Sequence, residues 1–191
     1  MNSGDTSVEQ LLNHALDARR RRDRLEERQR LENALMLHPN DPRLLNARGM
    51  SALADHDYVT AVDCFARAVT ADTHEPALCI NLATAHRGNR DDVGERAALQ
   101  AALDIDQRHL TAQLRMAELL ERQGRLSEAA RHWGAVVQLV QGLDAPSPGI
   151  IEAMTRGQAF LNEHNKVYAN ELEAELAGAV PDDAQIGRAH V

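Results

Sequence analysis

The chain has 191 residues and is 43% hydrophobic but only 3% aromatic, with a formal net charge of −8. That length fits one domain, or one array with an end piece, and the acidic balance argues against a general nucleic-acid binder, which needs a basic footprint. Ala and Leu dominate the apolar set and no long stretch alternates with period two, so an all-α fold is expected.

In chain order the pattern predicts paired helices over about 8–20 and 24–37, 42–54 and 58–71, 76–88 and 91–104, 110–123 and 126–141. Between the first two lies Arg19-Arg20-Arg21-Arg22-Asp23-Arg24. Acids at Asp17, Asp23, Glu26 and Glu27 interleave with it, so it reads as a solvated turn with local ion pairs rather than a phosphate site. Asp41-Pro42 is a helix start, an acid cap followed by proline where a missing N–H costs nothing. Gly88 and Gly124 mark turns inside pairs. Residues 142–149 carry two prolines and two glycines and break the pattern, with Ser147-Pro148 repeating the start signal. A last helix, about 150–178 (148–178 counted from the start signal), carries Met154, Leu161, Tyr168, Leu172 and Leu176 at helical spacing. It is expected to cap the array, because the last unit would otherwise leave an apolar face in water. Residues 179–191 are expected to form a disordered tail. Its end, Ile186-Gly187-Arg188-Ala189-His190-Val191, resembles the translation of a common short-read sequencing adapter, which predicts that native sequence stops near Gln185 and that the gene continues.

Three series recur every 34 residues, in register. Leu31, Phe65, Leu99 and Trp133 are bulky; Ala34, Ala68, Ala102 and Val136 follow three residues later; Ala15, Gly49, Ala83 and Ala117 sit on the first helix of each pair. In 42–75, Gly49, Tyr58, Ala61, Phe65 and Ala68 fit the tetratricopeptide pattern, and in 110–143 so do Ala117, Gly124, Ala129 and Trp133. The chain thus resembles a tetratricopeptide-repeat protein with units 8–41, 42–75, 76–109 and 110–143. The implied fold is a right-handed helical solenoid of four helix pairs plus a C-terminal capping helix. Small residues let paired helices approach, and the bulky residue fills the groove toward the next unit. Glu27 and Glu95 stand where a small residue is expected, which predicts looser packing or shifted helices in the first and third units.

A second resemblance is narrower. Glu95–Asp106 (ERAALQAALDID), Met116–Trp133 (MAELLERQGRLSEAARHW) and the proline-rich break followed by Gln158–Leu176 resemble the N-terminal helical region of bacterial aspartyl/asparaginyl β-hydroxylase-family proteins, over about 40–178. In that family the repeats precede a double-stranded β-helix that uses Fe(II) and 2-oxoglutarate. The resemblance implies a truncated gene product whose catalytic domain lies beyond this chain. Such a site needs converging histidines and a carboxylate. The nine histidines are scattered and none is followed two residues on by Asp or Glu, so no catalytic or metal-binding residue is assigned and no cofactor is expected in the chain itself. Cys64 and Cys79 are expected as apolar core filler in a reducing compartment, with a disulfide between neighbouring units the alternative. Lys166 is the only lysine among 21 basic residues, which with abundant Ala and Arg suggests a GC-rich bacterial genome. No charged-then-apolar leader and no apolar run near 18 residues is seen, which predicts a cytoplasmic, soluble chain.

A repeat array usually holds something. The first helices line the inside of the curve, and their inward rows are Asn13, Ala47, Asn81, Arg115; Leu16, Met50, Thr84, Glu118; and Arg19, Leu53, Arg87, Glu121. The candidate groove residues are Asn13, Met50, Asn81, Thr84, Arg87, Arg115 and Glu118. Asn81, in "INLATA", resembles tetratricopeptide units whose asparagine grips an extended peptide backbone. An amide offers both a donor and an acceptor, and arginine can hold a carboxylate bidentately. The expected function is a non-catalytic protein-interaction module whose partner is a peptide, another protein, or a catalytic domain of the same gene.

Overall fold

The computed structural model describes residues 7–178, with side chains as far as Val167. Tyr168, Leu172 and Leu176 lie outside the described side chains, and the tail, with its adapter-like end, lies outside the described residues. Among those described there are nine α-helices and no strand: α1 (Val8–Arg20), α2 (Arg24–Leu37), α3 (Pro42–Ala54), α4 (Tyr58–Ala71), α5 (Pro76–Gly88), α6 (Asp92–Ile105), α7 (Leu110–Arg122), α8 (Leu126–Gln141) and α9 (Pro148–Gly178). No described helix is long and apolar enough to cross a membrane.

The caps of the second helices repeat through the first three pairs, while Arg125 before α8 makes no side-chain cap bond. Asp23, Asp57 and Asp91 each cap a second helix, accepting from the N–H of Glu26, Thr60 and Gly94 at 2.9, 3.1 and 2.9 Å. Hydrogen bonds from Thr60 hold the Asp57 carboxyl below the usual range, and the Gly94 N–H does the same for Asp91. Asp41 and Glu75 cap α3 and α5, each with proline at the first helical position. Every turn inside a pair closes alike. Asp23, Asp57, Asp91 and Arg125 donate their N–H to the carbonyls of Ala18, Ala52, His86 and Leu120 at 2.9–3.0 Å. That bond requires a left-handed residue just before it, and φ is 62° at Arg22, 59° at His56, 59° at Arg90 and 71° at Gly124. Only the fourth unit uses glycine there.

The described residues form two compact units, divided between Leu119 and Leu120. The division falls inside α7 rather than after α8. In the first unit, Leu31, Phe65 and Leu99 are buried beside Ala34, Ala68 and Ala102. Phe65 packs with Ala52, Ala61 and Ala85, and a Cβ on Gly49 would stand 2.6 Å from its ring. Cys64 and Cys79 are buried free thiols, and burial pushes both pKa values up. The first and third pairs are not open at their glutamates. Glu27 is 6% exposed and Glu95 only 1%, while Leu31 and Leu99 are as buried as Phe65. A glutamate stem carries two methylenes that fill the space a small residue would leave.

In the second unit, Trp133 is fully buried with Val136, Val137 and Val140. Its ring lies against α9: a Cβ on Gly157 would be 2.8 Å from Cε3, Phe160 is 6.2 Å away between centroids, and the Arg156 guanidinium lies 5.2 Å over it. Helix α9 begins four residues later than the 34-residue spacing of α1, α3, α5 and α7 would place it; α8 is two residues longer than α6, and the connection is two residues longer. Shifting by those four residues superposes the contacts. Trp133 on Gly157 then matches Phe65 on Ala85, and Arg156–Glu121 (3.0 Å) matches Glu118–Arg87 (3.5 Å). The N-terminal half of α9 therefore packs as the first helix of a further pair.

Candidate functional site

Within the first unit, the rows on α1, α3, α5 and the start of α7 form the candidate face. Asn13 is exposed on α1, and Met50 is half-buried on α3 beside the Phe65 cluster. Asn81 on α5 donates Nδ2–H to Asn46 Oδ1 on α3 at 2.9 Å. Asn46 escaped the sequence reading, although a signal existed. Its row is Leu12, Asn46, Ile80, Leu114, so it is the lone polar member. The two amides use one donor and one acceptor on each other. What remains is an NH2 group on Asn46 and a carbonyl oxygen on Asn81, and turning both amides over still leaves one donor and one acceptor. Both border a hollow of about 380 Å³ lined also by Pro42, Arg43, Asp72, Glu75, Ala77 and Leu78.

The two arginines are placed near each other but are not an empty clamp. Arg87 lies 3.5 Å from Glu118. Arg115 is half-buried, and its Nη1 donates to Thr84 Oγ1 and to the Ile80 carbonyl, the latter at 3.4 Å. Thr84 in turn donates to the Ile80 carbonyl at 2.8 Å. Burial lowers the Arg115 pKa, and the Arg87 charge lowers it further while Glu118 opposes. A ligand carboxylate here must share Arg87 with Glu118. Sequence spacing put these residues on one face. It could not show that they already bond across neighbouring helices.

Around Glu27 a second cluster forms. Arg19, Arg22, Arg24 and Glu27 line a cleft of about 360 Å³ with Ala54. Arg24 donates Nη1 to the Ala54 carbonyl and to Asp55 Oδ1, both at 2.6 Å. Among the described residues no hydrogen bond or ion pair holds the Glu27 carboxylate, nor the guanidiniums of Arg19 and Arg22. Burial raises the Glu27 pKa; Arg19 opposes, Asp55 adds to the rise, and Arg24 and Arg48 oppose more weakly. Among the described residues no three His, Cys, Asp or Glu side chains come together as metal ligands.

Known structures share this architecture. A MamA fragment from Desulfovibrio magneticus RS-1 superposes with a TM-score of 0.66 at 20% identity, covering 74% of this chain and 80% of its own. Another MamA structure gives 0.69 at 16% identity, covering 93% and 96%. An O-GlcNAc transferase from Thermobaculum terrenum gives 0.59 at 21% identity, covering 74% of this chain and 27% of that one. These are tetratricopeptide-type helical-repeat proteins. The fold is an all-α solenoid of tetratricopeptide type. No protein-family model matches the chain, and no curated protein sequence matches it.

Proposed function

We propose that this chain is a non-catalytic protein-interaction module that holds an extended peptide segment on the face of its first helices. One observation carries the reading: the Asn46–Asn81 pair leaves one donor and one acceptor at the border of a hollow between α3 and α5. A peptide unit needs one of each, so the pair satisfies a backbone without reading its side chains. Arg43 at the rim is paired with Asp41 at 2.9 Å, so Asp72 and Glu75 favour a cationic residue in the bound segment, and Arg87 and Arg115 can meet an acidic group farther along α5 and α7. The kinship in fold to repeat scaffolds such as MamA supports the same reading.

Selection of a random-peptide display library on the full chain tests it. Enriched peptides should lose binding to Asn46→Ala and Asn81→Ala, each by about 1 kcal/mol or more for a hydrogen bond removed from a buried contact. Peptides that bind both variants as well as the parent, and are lost on substitution of exposed residues of α2, α4 or α6, would move the interface to the outer face. The β-hydroxylase reading of the whole gene rests on the sequence resemblance alone. It would add Fe(II) and 2-oxoglutarate in a separate domain, which this face would then hold or serve, and the genomic frame past codon 185 tests it directly.

A further inference from the structure

We propose that the cleft between α1, α2 and the end of α3 binds a small zwitterion, a free α-amino acid or a metabolite with the same ammonium-and-carboxylate end, with Glu27 taking the ammonium and Arg19 and Arg22 the carboxylate. This does not depend on the peptide-binding reading above, which concerns a different face.

Glu27 occupies the position held by Ala61 and Ala129 in the second and fourth pairs. Glu27 as a whole is 6% exposed, its stem is enclosed, and its carboxylate has no hydrogen bond to the described residues; its oxygens are not among the sealed unpartnered atoms, so the head meets solvent. The arginines around it offset its charge at a distance without bonding to it. What the carboxylate does face is the cleft, whose volume of about 360 Å³ lies at the small end of ligand pockets. Arg24 is engaged by Asp55 and the Ala54 carbonyl, so it forms a wall rather than a ligand-binding group. Arg19 and Arg22 have no such engagement. Arg22 is also the left-handed residue of the turn, its backbone fixed by bonds on either side, the Asp23 N–H to Ala18 and its own N–H to Arg19 at 2.9 Å.

The charges left over select the ligand class. A simple anion would meet the Glu27 carboxylate in the same cleft. A simple cation would meet two guanidiniums that no carboxylate bonds. A zwitterion satisfies both, with the carboxylate held by forked N–H donors and the ammonium donating to Glu27. A neighbouring hollow makes the contrast. It is larger, about 550 Å³, and is lined by His14, Asp17, Arg20, Arg21 and Arg30. There each arginine already has a carboxylate: Arg20 has Asp17 at 3.0 Å, Arg21 has Glu26 at 2.7 Å, and Arg30 has Glu26.

The test is a titration of the isotopically labelled full chain, followed by backbone amide NMR shifts. The probes are the common L-α-amino acids one at a time, then the matching amines and carboxylic acids that lack one charged group, and inorganic phosphate. At least one amino acid should shift the amides of Arg22, Asp23 and Glu27 and saturate. Its amine and acid analogues should bind at least about tenfold more weakly, as should the amino acid to Glu27→Gln and Arg22→Asn. Asn tolerates the left-handed backbone at position 22, so that variant keeps the turn, and a thermal melt of each variant shows that it is folded. If the carboxylic acid or phosphate binds as well as the amino acid, or binds Glu27→Gln more tightly than the parent, the site is an anion site and the proposal is overturned. Failure of every amino acid to saturate, or binding indifferent to Glu27→Gln, overturns it equally.

Discussion

Gly49→Ala and Gly134→Ala are the same chemical change inside a helix, and the structure gives them opposite signs. A Cβ on Gly49 would stand 2.6, 2.7 and 2.9 Å from Cε1, Cζ and Cδ1 of Phe65. The ring must retreat, yet it is fully buried, with the methyl groups of Ala52, Ala61 and Ala85 around it unable to swing away and Met50, Leu53, Val62 and Leu82 packed against the same cluster. Overpacking of this kind costs about 1–3 kcal/mol, and three contacts below 3 Å on a fully buried ring belong in the upper part of that range. Alanine returns about 1 kcal/mol of helix propensity over glycine. The expected net loss is about 1–2 kcal/mol, or roughly 2–8 °C in Tm for a chain of this size. At Gly134 nothing lies within 4 Å of the added carbon, so only the propensity gain of up to about 1 kcal/mol remains. Thermal and urea melts followed by circular dichroism read both. A Gly49→Ala chain that melts above its parent, as Gly134→Ala should, would show that Phe65 is not seated on Gly49 and that the close approach of α3 to α4 is misread.

Three further outcomes follow. Trp133→Ala removes the largest buried ring of the second unit and should cost about 3–5 kcal/mol, read as lost hydrogen-exchange protection in α8 and the start of α9; unchanged protection would mean that the ring is not core. At the left-handed turn positions, Arg90→Gly should stabilise and Gly124→Ala destabilise, each by about 1 kcal/mol, and urea midpoints moving the other way would refute the turn geometry. Burial lowers the His132 pKa and the Arg131 charge adds to this, while Glu128 opposes. Since the unfolded chain then binds the proton more readily, stability should fall as pH drops below about 6.5 and level off below the folded pKa. His132→Gln should remove that part of the pH dependence, and melts at pH 5 and pH 8 with equal slopes in both proteins would refute it.

The repeat was legible because its signals are local and redundant. Bulky Phe65, small Gly49 and small Ala68 each report the same helix pair, and so do their counterparts 34 residues away. Other features were hidden for identifiable reasons. Glu27 and Glu95 read as packing faults because a charge at a small-residue position implies exposure; only coordinates show their stems buried and the Glu27 head in a cleft. The partners of Arg87, Arg115 and Asn81 lie on the neighbouring first helix, about one repeat along the chain, and periodicity places residues in rows without saying which rows touch. Arg22, His56 and Arg90 were invisible as left-handed residues because glycine, the usual mark of that conformation, occurs only at Gly124.

Helix α9 shows where sequence period and packing rule part company. The 34-residue period is a sum of two helix lengths and two connections, so lengthening α8 and the following loop by two residues each is enough to end it. The packing rule is different in kind. It requires only a bulky side chain on a second helix and a small residue opposite on the next first helix, with opposite charges between successive first helices where these occur. Trp133 with Gly157, and Glu121 with Arg156, meet those requirements as Phe65 with Ala85, and Arg87 with Glu118, do in the first unit. The charges are exchanged between the two helices, which leaves the attraction intact because an ion pair has no preferred order across an interface. Repeats recognised by period alone will therefore be counted one helix short wherever a connection drifts, and α9 is such a helix, a first helix by its contacts.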